Sequence, residues 1–463
     1  MTNSPALNKI RKDRRDMAIF LVDVALFFAL LKWLPFEPEP TKGLALLAFV
    51  AVLWLTEAVH VTVTALFVPV LAIGLGLVTS KEALIAFADP TIFLFFGGFA
   101  LATALHIQKL DKMIANKIMA LANGKLFVAV LYLFIVTAFL SMWMSNTATA
   151  AMMLPLALGI LSKMDKVSEH NTYTFVLLGI AYSAGIGGMG TLVGSPPNAI
   201  VASQLHLSFS QWLMYGLPMM LLLLPLVIFI LYLNFKPKFK GEFQFEFEQI
   251  GLNKNRIITL IIFIFIACCW ILGGKLNPLL SQFLGLKTNI GSFDSIIALA
   301  ASLLLCVTKV VSWKQIQEGT EWGVLFLFGG GLTLSAVLSH TGASRIMAEG
   351  IVALIEGKHY FIICLIIAAF IVVLTEFTSN TASAALLVPI FISIAEALNM
   401  NPLGFALIIG LGASCAFMLP VGTPPNAIIY GTGLIRQRDM LKSYKMDLLC
   451  MLIIATAGYL FWL

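Results

Sequence analysis

Ser145, Asn146 and Thr147 stand inside a long apolar stretch, and the same residue types return in the same order as Ser379, Asn380 and Thr381. A second polar device accompanies each copy: Ser195-Pro196-Pro197-Asn198-Ala199 and Thr423-Pro424-Pro425-Asn426-Ala427. The spacings nearly agree, 379 − 145 = 234 and 423 − 195 = 228. None of these residues is charged. Hydroxyls and carboxamides both donate and accept hydrogen bonds. Their donors suit carboxylate oxygens, and their acceptors suit a small hard cation. No His/Asp/Glu or Cys constellation stands near either device, so acid–base and nucleophilic catalysis lack players. The chemistry on offer is reversible binding of an anion and a cation.

The elements that must position these residues are membrane helices. Of 463 residues, 60% are hydrophobic and 11% charged; a soluble chain carries about 25% charged residues. Mean hydropathy is +0.97. Apolar runs near the length of a span predict an all-α polytopic membrane protein. They fall near 17–34, 43–60, 61–79, 91–108, 172–200, 211–235, 255–273, 293–310, 321–338, 403–430 and 444–463. The run after the basic N-terminus lacks a small-x-small cleavage site and reads as a retained span rather than a signal peptide. The formal charge of +6 does not point to nucleic acid, because the basic residues cluster in short segments between apolar runs. The six cysteines lie in apolar runs without metal-ligand spacing and read as small buried hydrophobes.

With the N-terminus in the cytoplasm, 22 Lys and Arg fall on inner segments and 7 at or beyond outer ends, as the positive-inside rule requires. The C-terminus then lies outside. Phe96-Gly97-Gly98 and Phe328-Gly329-Gly330 open matching spans, 329 − 97 = 232 residues apart. Counting crossings, the first runs inward and the second outward. Gly-Gly alone is common where helices pack closely, but three colinear matches predict an inverted-topology repeat, and in such carriers the binding site lies where the repeats meet. The charged stretch 236–256 reads as a solvated linker, and 109–124, with Asp111, Lys112 and Lys117, as an amphipathic helix on the inner surface.

The runs 126–144 with 147–163, and 359–378 with 381–397, read as hairpins turning at Ser-Asn-Thr. Two ordinary antiparallel spans would return the chain to the same side. The polar tips favour re-entrant hairpins, because irregular backbone is tolerated at membrane depth only where it lines a cavity. Their hydroxyls can also cap the second arm. Each Pro-Pro pair must break its helix, with Asn198 or Asn426 expected to cap a new half-helix. Broken helices free carbonyls for cations and aim N-termini, roughly +0.5 charge each, at anions. With no Lys or Arg in the polar core, moving a dianion against the membrane potential costs about 4.6 kcal/mol per 100 mV. Co-bound cations offset that cost, and symmetry predicts at least two, one per hairpin. Glu57, Asp89, Glu321 and Glu376 compete as proton carriers, though a carboxylate on backbone donors explains Glu376 as well. A channel would call for charged or carbonyl-lined rings, which the pattern lacks.

Together with Ser414-x-x-Phe417-x-x-Pro420-Val421-Gly422, these paired motifs resemble the divalent anion/sodium symporter family (DASS) over essentially the whole chain. The resemblance implies about 11 transmembrane helices plus two re-entrant hairpins, a homodimer in the lipid bilayer, and an elevator mechanism. The chain would comprise first-repeat scaffold helices (1–108), a first-repeat transport part (109–235; hairpin 126–163, broken helix 172–208), a cytoplasmic linker (236–256), second-repeat scaffold helices (257–340) and a second-repeat transport part (341–463; hairpin 359–397, broken helix 403–434, last helix 444–463). Residue by residue, it implies one sodium site at Ser141, Ser145, Asn146 and the Gly194 carbonyl. A second would lie at Thr375, Thr378, Ser379, Asn380 and the Gly422 carbonyl. Substrate carboxylates would meet Ser145, Asn146, Thr147, Ser195, Ser379, Asn380, Thr381, Thr423 and Pro424. Some relatives carry Ala where this chain has Gly422, a change a backbone ligand tolerates. The expectation is sodium-coupled symport of succinate, malate or fumarate through a bacterial inner membrane, with Na+ as co-transported ion. The alternative is a sodium-independent or proton-coupled carrier or exchanger of dicarboxylate, citrate or sulfate.

Overall fold

The computed structural model describes residues 5–162, 164–239, 250–355 and 357–462, and all regular structure among them is helical. Seven helical segments among these residues are long and apolar enough to cross a membrane, and six shorter apolar helices accompany them. Residues 240–249 of the charged linker expected at 236–256, including Lys240, Glu242, Glu246 and Glu248, lie outside the described residues.

The hairpins form as expected. Their arms are Leu126–Ser141 with Asn146–Leu161, and Tyr360–Thr375 with Asn380–Ala397. The first arm of each has 16 residues, about 24 Å at 1.5 Å per residue. That is short of the roughly 30 Å hydrocarbon core. The long run 172–200 divides into His170–Gly188, a single 3-10 turn Leu192–Gly194 and the half-helix Pro196–Gln204. In the second copy Pro402–Gly412 is followed by irregular chain and then Pro424–Gly431.

The chain forms two compact units. One comprises Met1–Asp89, Trp322–Ala413 and Ile454–Leu463; the other comprises Pro90–Glu321 and Ser414–Ile453. Each draws on both halves of the sequence. In the first, Trp322–His340 packs on Val61–Gly74 so tightly that a methyl on Gly330 would lie 2.5 Å from the Ala65 carbonyl. In the second, Phe293–Val307 packs on Pro90–Ile107, and a methyl on Gly97 would lie 2.5 Å from the Ala298 carbonyl. Small residues let these backbones approach. The two contacts are equivalent with 330 − 97 = 298 − 65 = 233. The glycine pair of the first half therefore matches Gly330-Gly331, one residue on from the alignment that the sequence suggested.

The first unit gathers Phe20, Phe27, Phe49 and Phe67, with centroids 5.6 Å apart for Phe27–Phe49 and 5.8 Å for Phe49–Phe67. Asp23, which the sequence reading passed over, is 1% exposed on the same helix, between Phe20 and Phe27. The second hairpin packs against Pro402–Gly412, where a methyl on Gly412 would lie 2.6 Å from Ile371 Cγ2.

Two local expectations are corrected, and one helix is added. The amphipathic helix is present as Leu110–Ala120, but Asp111 is fully buried rather than solvated; its carboxylate lies 2.8 Å from His106 Nδ1. This closes the turn between two helices, a contact that amphipathic periodicity does not encode. Cys268 is exposed on the protein surface instead of buried, and Cys306 is half-buried; all six cysteines are free thiols. A second amphipathic helix, Ala343–Ile355, follows the second glycine-rich helix as Leu110–Ala120 follows the first. Its signal, Arg345 and Glu349 at i and i+4, was present in the sequence and is a 2.8 Å ion pair.

Candidate functional site

At the first tip the apolar arm ends at Ser141, which is fully buried. Ser145 is the N-cap of the second arm, with φ −62 and ψ 142, and accepts from the Ala148 N–H at 3.3 Å. A serine there satisfies one of the free N–H groups that open any helix. Asn146 then begins the arm. Ser141 Oγ lies 2.7 Å from the Ala184 carbonyl and 2.6 Å from Asn146 Oδ1. The same Asn146 oxygen lies 3.1 Å from the Ala184 carbonyl and 3.3 Å from the Gly194 carbonyl. Oxygens of Ser141, Asn146, Ala184 and Gly194 thus converge at the tip. Turning the amide puts its NH2 on the carbonyls; a small cation among the oxygens relieves the same repulsion with the amide as it stands. The donor set therefore fits sodium, a hard ion taking hydroxyl, amide and carbonyl oxygens.

The second tip repeats this in the other unit. Thr375 is fully buried, and its Oγ1 lies 2.6 Å from Asn380 Oδ1 and 2.9 Å from the Ala413 carbonyl. Ser379 caps the second arm and accepts from the Ala382 N–H at 3.4 Å. Thr378 turns its hydroxyl inward, 2.6 Å from Ser383 Oγ and 3.0 Å from the Leu374 carbonyl. Glu376 is fully buried at the end of the first arm. Glu57 sits in a left-handed turn at a helix end, and Glu321 just precedes Trp322–His340.

The carbonyls of Ala184 and Ala413 escaped sequence reasoning. Both belong to alanines in helical chain, and nothing local distinguishes them from their neighbours. Only the mate relation Ser141/Thr375, each five residues before an Asn, marks where a partner carbonyl has to lie.

The two breaks are also alike. Ser195 (φ −149) and Thr423 (φ −155) are extended, as a residue before proline prefers, and each is the N-cap position of a half-helix with Pro at its first turn. Neither side chain makes a capping bond. The asparagines expected to cap do something else. Asn198 Nδ2 donates backward to the carbonyls of Gly188 (2.8 Å) and Thr191 (2.7 Å), and Asn426 Nδ2 to those of Ala416 (2.9 Å) and Leu419 (3.0 Å). At the third position of the half-helix, each side chain reaches back to carbonyls of the chain that precedes the break: Gly188 at a helix end and Thr191 beyond it, and Ala416 and Leu419 in the irregular stretch after Gly412. A hydroxyl bond from Thr191 to the Met142 carbonyl ties the first break to the first hairpin. The approach is close enough to require glycine: a methyl on Gly188 would overlap Asn146 Oδ1, and one on Gly194 would lie 2.6 Å from the Gly188 carbonyl.

Of the residues expected in the site, Ser141, Ser145, Asn146, Thr147, Gly194, Ser195, Gly422, Thr423 and Pro424 fall in one unit. There the half-helix Pro424–Gly431 packs against Asn146–Leu161 and His170–Gly188. Ser195 and Thr423 are buried, at 2% and 8% exposure, whereas Thr147 and Pro424 are exposed. Thr375, Thr378, Ser379, Asn380 and Thr381 fall in the other unit.

The family model described as citrate transporter matches residues 51–410 and 295–463 of this chain. An uncharacterized transporter of Haemophilus influenzae is 67% identical over 453 residues, 98% of each chain. SdcS, a sodium-dependent dicarboxylate transporter of Staphylococcus saprophyticus, is 33% identical over 462 aligned residues, covering 92% of this chain and 87% of the relative. The solved YdaH transporter of Alcanivorax borkumensis superposes with a TM-score of 0.59 at 12% identity, covering 87% of this chain and 99% of that one, a likeness of fold.

Proposed function

This chain belongs to the citrate transporter family and is similar to a sodium-dependent dicarboxylate transporter, and from that premise we propose that it carries C4-dicarboxylates such as succinate, malate and fumarate inward in symport with sodium. It is an integral membrane transporter. In this reading the first cation is held by Ser141, Asn146 and the carbonyls of Ala184 and Gly194, with Ser145 at the tip. The second is held at Thr375, Asn380 and the Ala413 carbonyl, with Thr378 and Ser379. Thr147, Ser195, Thr381 and Thr423 meet the substrate carboxylates, and the half-helix at Pro424 turns its N-terminus to the anion.

The observation that carries the reading is the duplicated meeting of a buried hydroxyl, an asparagine amide and a main-chain carbonyl: Ser141, Asn146 and Ala184 at the first tip, and Thr375, Asn380 and Ala413 at the second. Hydroxyl, amide and carbonyl oxygens gathered at one point are the ligands a small hard cation takes, and one cation engages several of them at once. The same cation neutralises a dianion that meets no basic side chain in the motifs. Two sodium ions make the cycle electroneutral; a third lets the membrane potential drive it. The chain works as a homodimeric elevator in the bacterial plasma membrane with its N-terminus in the cytoplasm.

Uptake of radiolabelled succinate into proteoliposomes tests this. Accumulation in sodium that vanishes when choline replaces it is the expected result. Equal uptake in choline overturns sodium coupling and leaves the exchanger alternative. The family description favours citrate as a rival cargo; unlabelled citrate abolishing succinate uptake at lower concentration than unlabelled malate identifies the tricarboxylate as the preferred one.

A further inference from the structure

Asp23 is a buried acidic group that the proposed carrier mechanism leaves unused. It lies inside the apolar run 17–34, on the helix Pro5–Trp33, where Asp23 and Phe27 are the two buried side chains among the described residues. That helix packs on Pro38–Thr56. Phe20 and Phe27 both meet the Phe49 ring, with centroids 6.3 Å and 5.6 Å away, so Asp23, between them on one helix face, falls at the level of Phe49. Leu46 and Leu53, one turn to either side of Phe49, are fully buried. Phe67 of Val61–Gly74 closes the cluster, 6.3 Å from Phe20 and 5.8 Å from Phe49.

Both carboxyl oxygens of Asp23 are buried and make no hydrogen bond among the described residues. The Thr64 hydroxyl, one turn before Phe67, is buried and equally unpaired, so it does not bond Asp23. Basic side chains do not answer the carboxyl either. On its own helix the flanking charges are Asp16, paired with Arg15 at 2.9 Å, and Lys32, whose ammonium lies over the Trp33 ring at 5.7 Å. They stand seven and nine residues away in sequence, about 10 Å and about 14 Å along the helix axis. Pro38–Thr56 carries no titratable residue after Lys42, and Val61–Gly74 carries none. At 1% exposure the carboxyl is out of reach of a lipid headgroup or a second copy of the chain. An ionised carboxylate here lacks water, donors and a counter-charge. A metal ion does not supply the remedy, because hard cations take several oxygens and one carboxyl alone is on offer. A single proton does, by turning the group into a neutral acid that an apolar contact holds at far lower cost.

We propose that Asp23 is a proton-binding site whose occupancy fastens the first helix to its neighbours: neutral Asp23 seats the helix on Phe49, and loss of the proton makes the same contact unfavourable. The site is separate from the sodium reading and stands or falls without it. Pro38–Thr56, which receives the helix, also packs against Trp322–His340 and the hairpin arm Asn380–Ala397, so the grip of the first helix bears on the core of its own unit.

Infrared difference spectroscopy on the full chain in lipid nanodiscs tests the proton directly. Wild type minus Asp23→Asn at neutral pH is expected to show the C=O stretch of a protonated carboxyl. Asp111, Glu376 and Asp447, also buried, are common to both proteins and cancel. Melting temperature tests the fastening. A group that keeps its proton in the folded chain and loses it in the unfolded chain stabilises the fold at low pH, and that contribution is lost as pH rises. From about pH 5 to about pH 9, wild type is therefore expected to lose about 2 °C or more relative to Asp23→Asn. Should Asp23→Asn fail to insert, Asp23→Leu, which suits the apolar contact, carries both comparisons. A difference spectrum without a carboxyl band overturns the proton site. Melting curves that stay parallel across the range overturn the fastening. A melting temperature that rises with sodium in wild type but not in Asp23→Asn makes the ligand a metal ion and overturns the proton.

Discussion

The Tyr182 hydroxyl donates to the Phe417 main-chain carbonyl at 2.7 Å, and the two rings meet edge to face with centroids 4.9 Å apart. The same hydroxyl lies 2.7 Å from Ser443 Oγ. Tyr182 belongs to the broken helix of the first repeat and Phe417 to the irregular chain that leads into the second break. One buried phenol therefore fastens the two breaks inside a single unit. Tyr182→Phe keeps the ring contact but leaves the Phe417 carbonyl short of a donor. The expected loss is about 1–3 kcal/mol, read as a lower melting temperature in detergent with insertion unchanged.

Gly188 is the tightest point of the candidate site. A methyl there would overlap Asn146 Oδ1 and approach the Gly194 carbonyl to 3.0 Å. Gly188→Ala is expected to raise the sodium concentration for half-maximal uptake at least tenfold or to abolish uptake. Gly350, with nothing within 4 Å of an added methyl, is the control. Gly350→Ala is expected to transport normally and to be slightly more stable, because alanine favours a helix interior over glycine by about 1 kcal/mol. Sodium titration of uptake in both variants checks this.

Asn146→Ala and Asn380→Ala are each expected to abolish uptake while the protein still reaches the membrane, since in the proposed sites each supplies an oxygen to both ion and substrate. Ser141→Ala keeps the carbonyls of Ala184 and Gly194 and is expected to weaken sodium without abolishing transport. Uptake by both asparagine variants at the wild-type rate would remove these residues from the site.

Asn198 and Asn426 give a prediction with an internal ranking. Each amide donates to two carbonyls of the chain leading into its break, and each residue is fully buried. Alanine removes both amide hydrogen bonds from these buried carbonyls, costing about 1–3 kcal/mol. Aspartate is isosteric but places a carboxylate oxygen against two carbonyl oxygens. Thermal denaturation is therefore expected to order the proteins as wild type, then Asn198→Ala, then Asn198→Asp, and likewise for Asn426. Aspartate more stable than alanine at either position would mean that the asparagine does not act as the donor.

The sequence alone determined what depends on neighbouring residues. Runs of apolar residues, the prolines at 196–197 and 424–425, and the capping serines at 145 and 379 fixed the hairpins, the breaks and the duplication. Each of these signals acts through local backbone geometry or through the cost of burying unsatisfied peptide groups. Tertiary structure decided which distant backbone meets each polar group. It supplied the Ala184 and Ala413 carbonyls, sent Asn198 backward to Gly188 instead of forward into its own helix, and buried Asp111 on His106. It also set Gly97 against Ala298 and Gly330 against Ala65, correcting the register of the repeat by one residue. It placed Trp143 in an aromatic stack with Phe209 while leaving Phe377 exposed. Residue type announces that a hydroxyl, amide or ring needs a partner; only the packing of chain hundreds of residues away determines which partner is within reach.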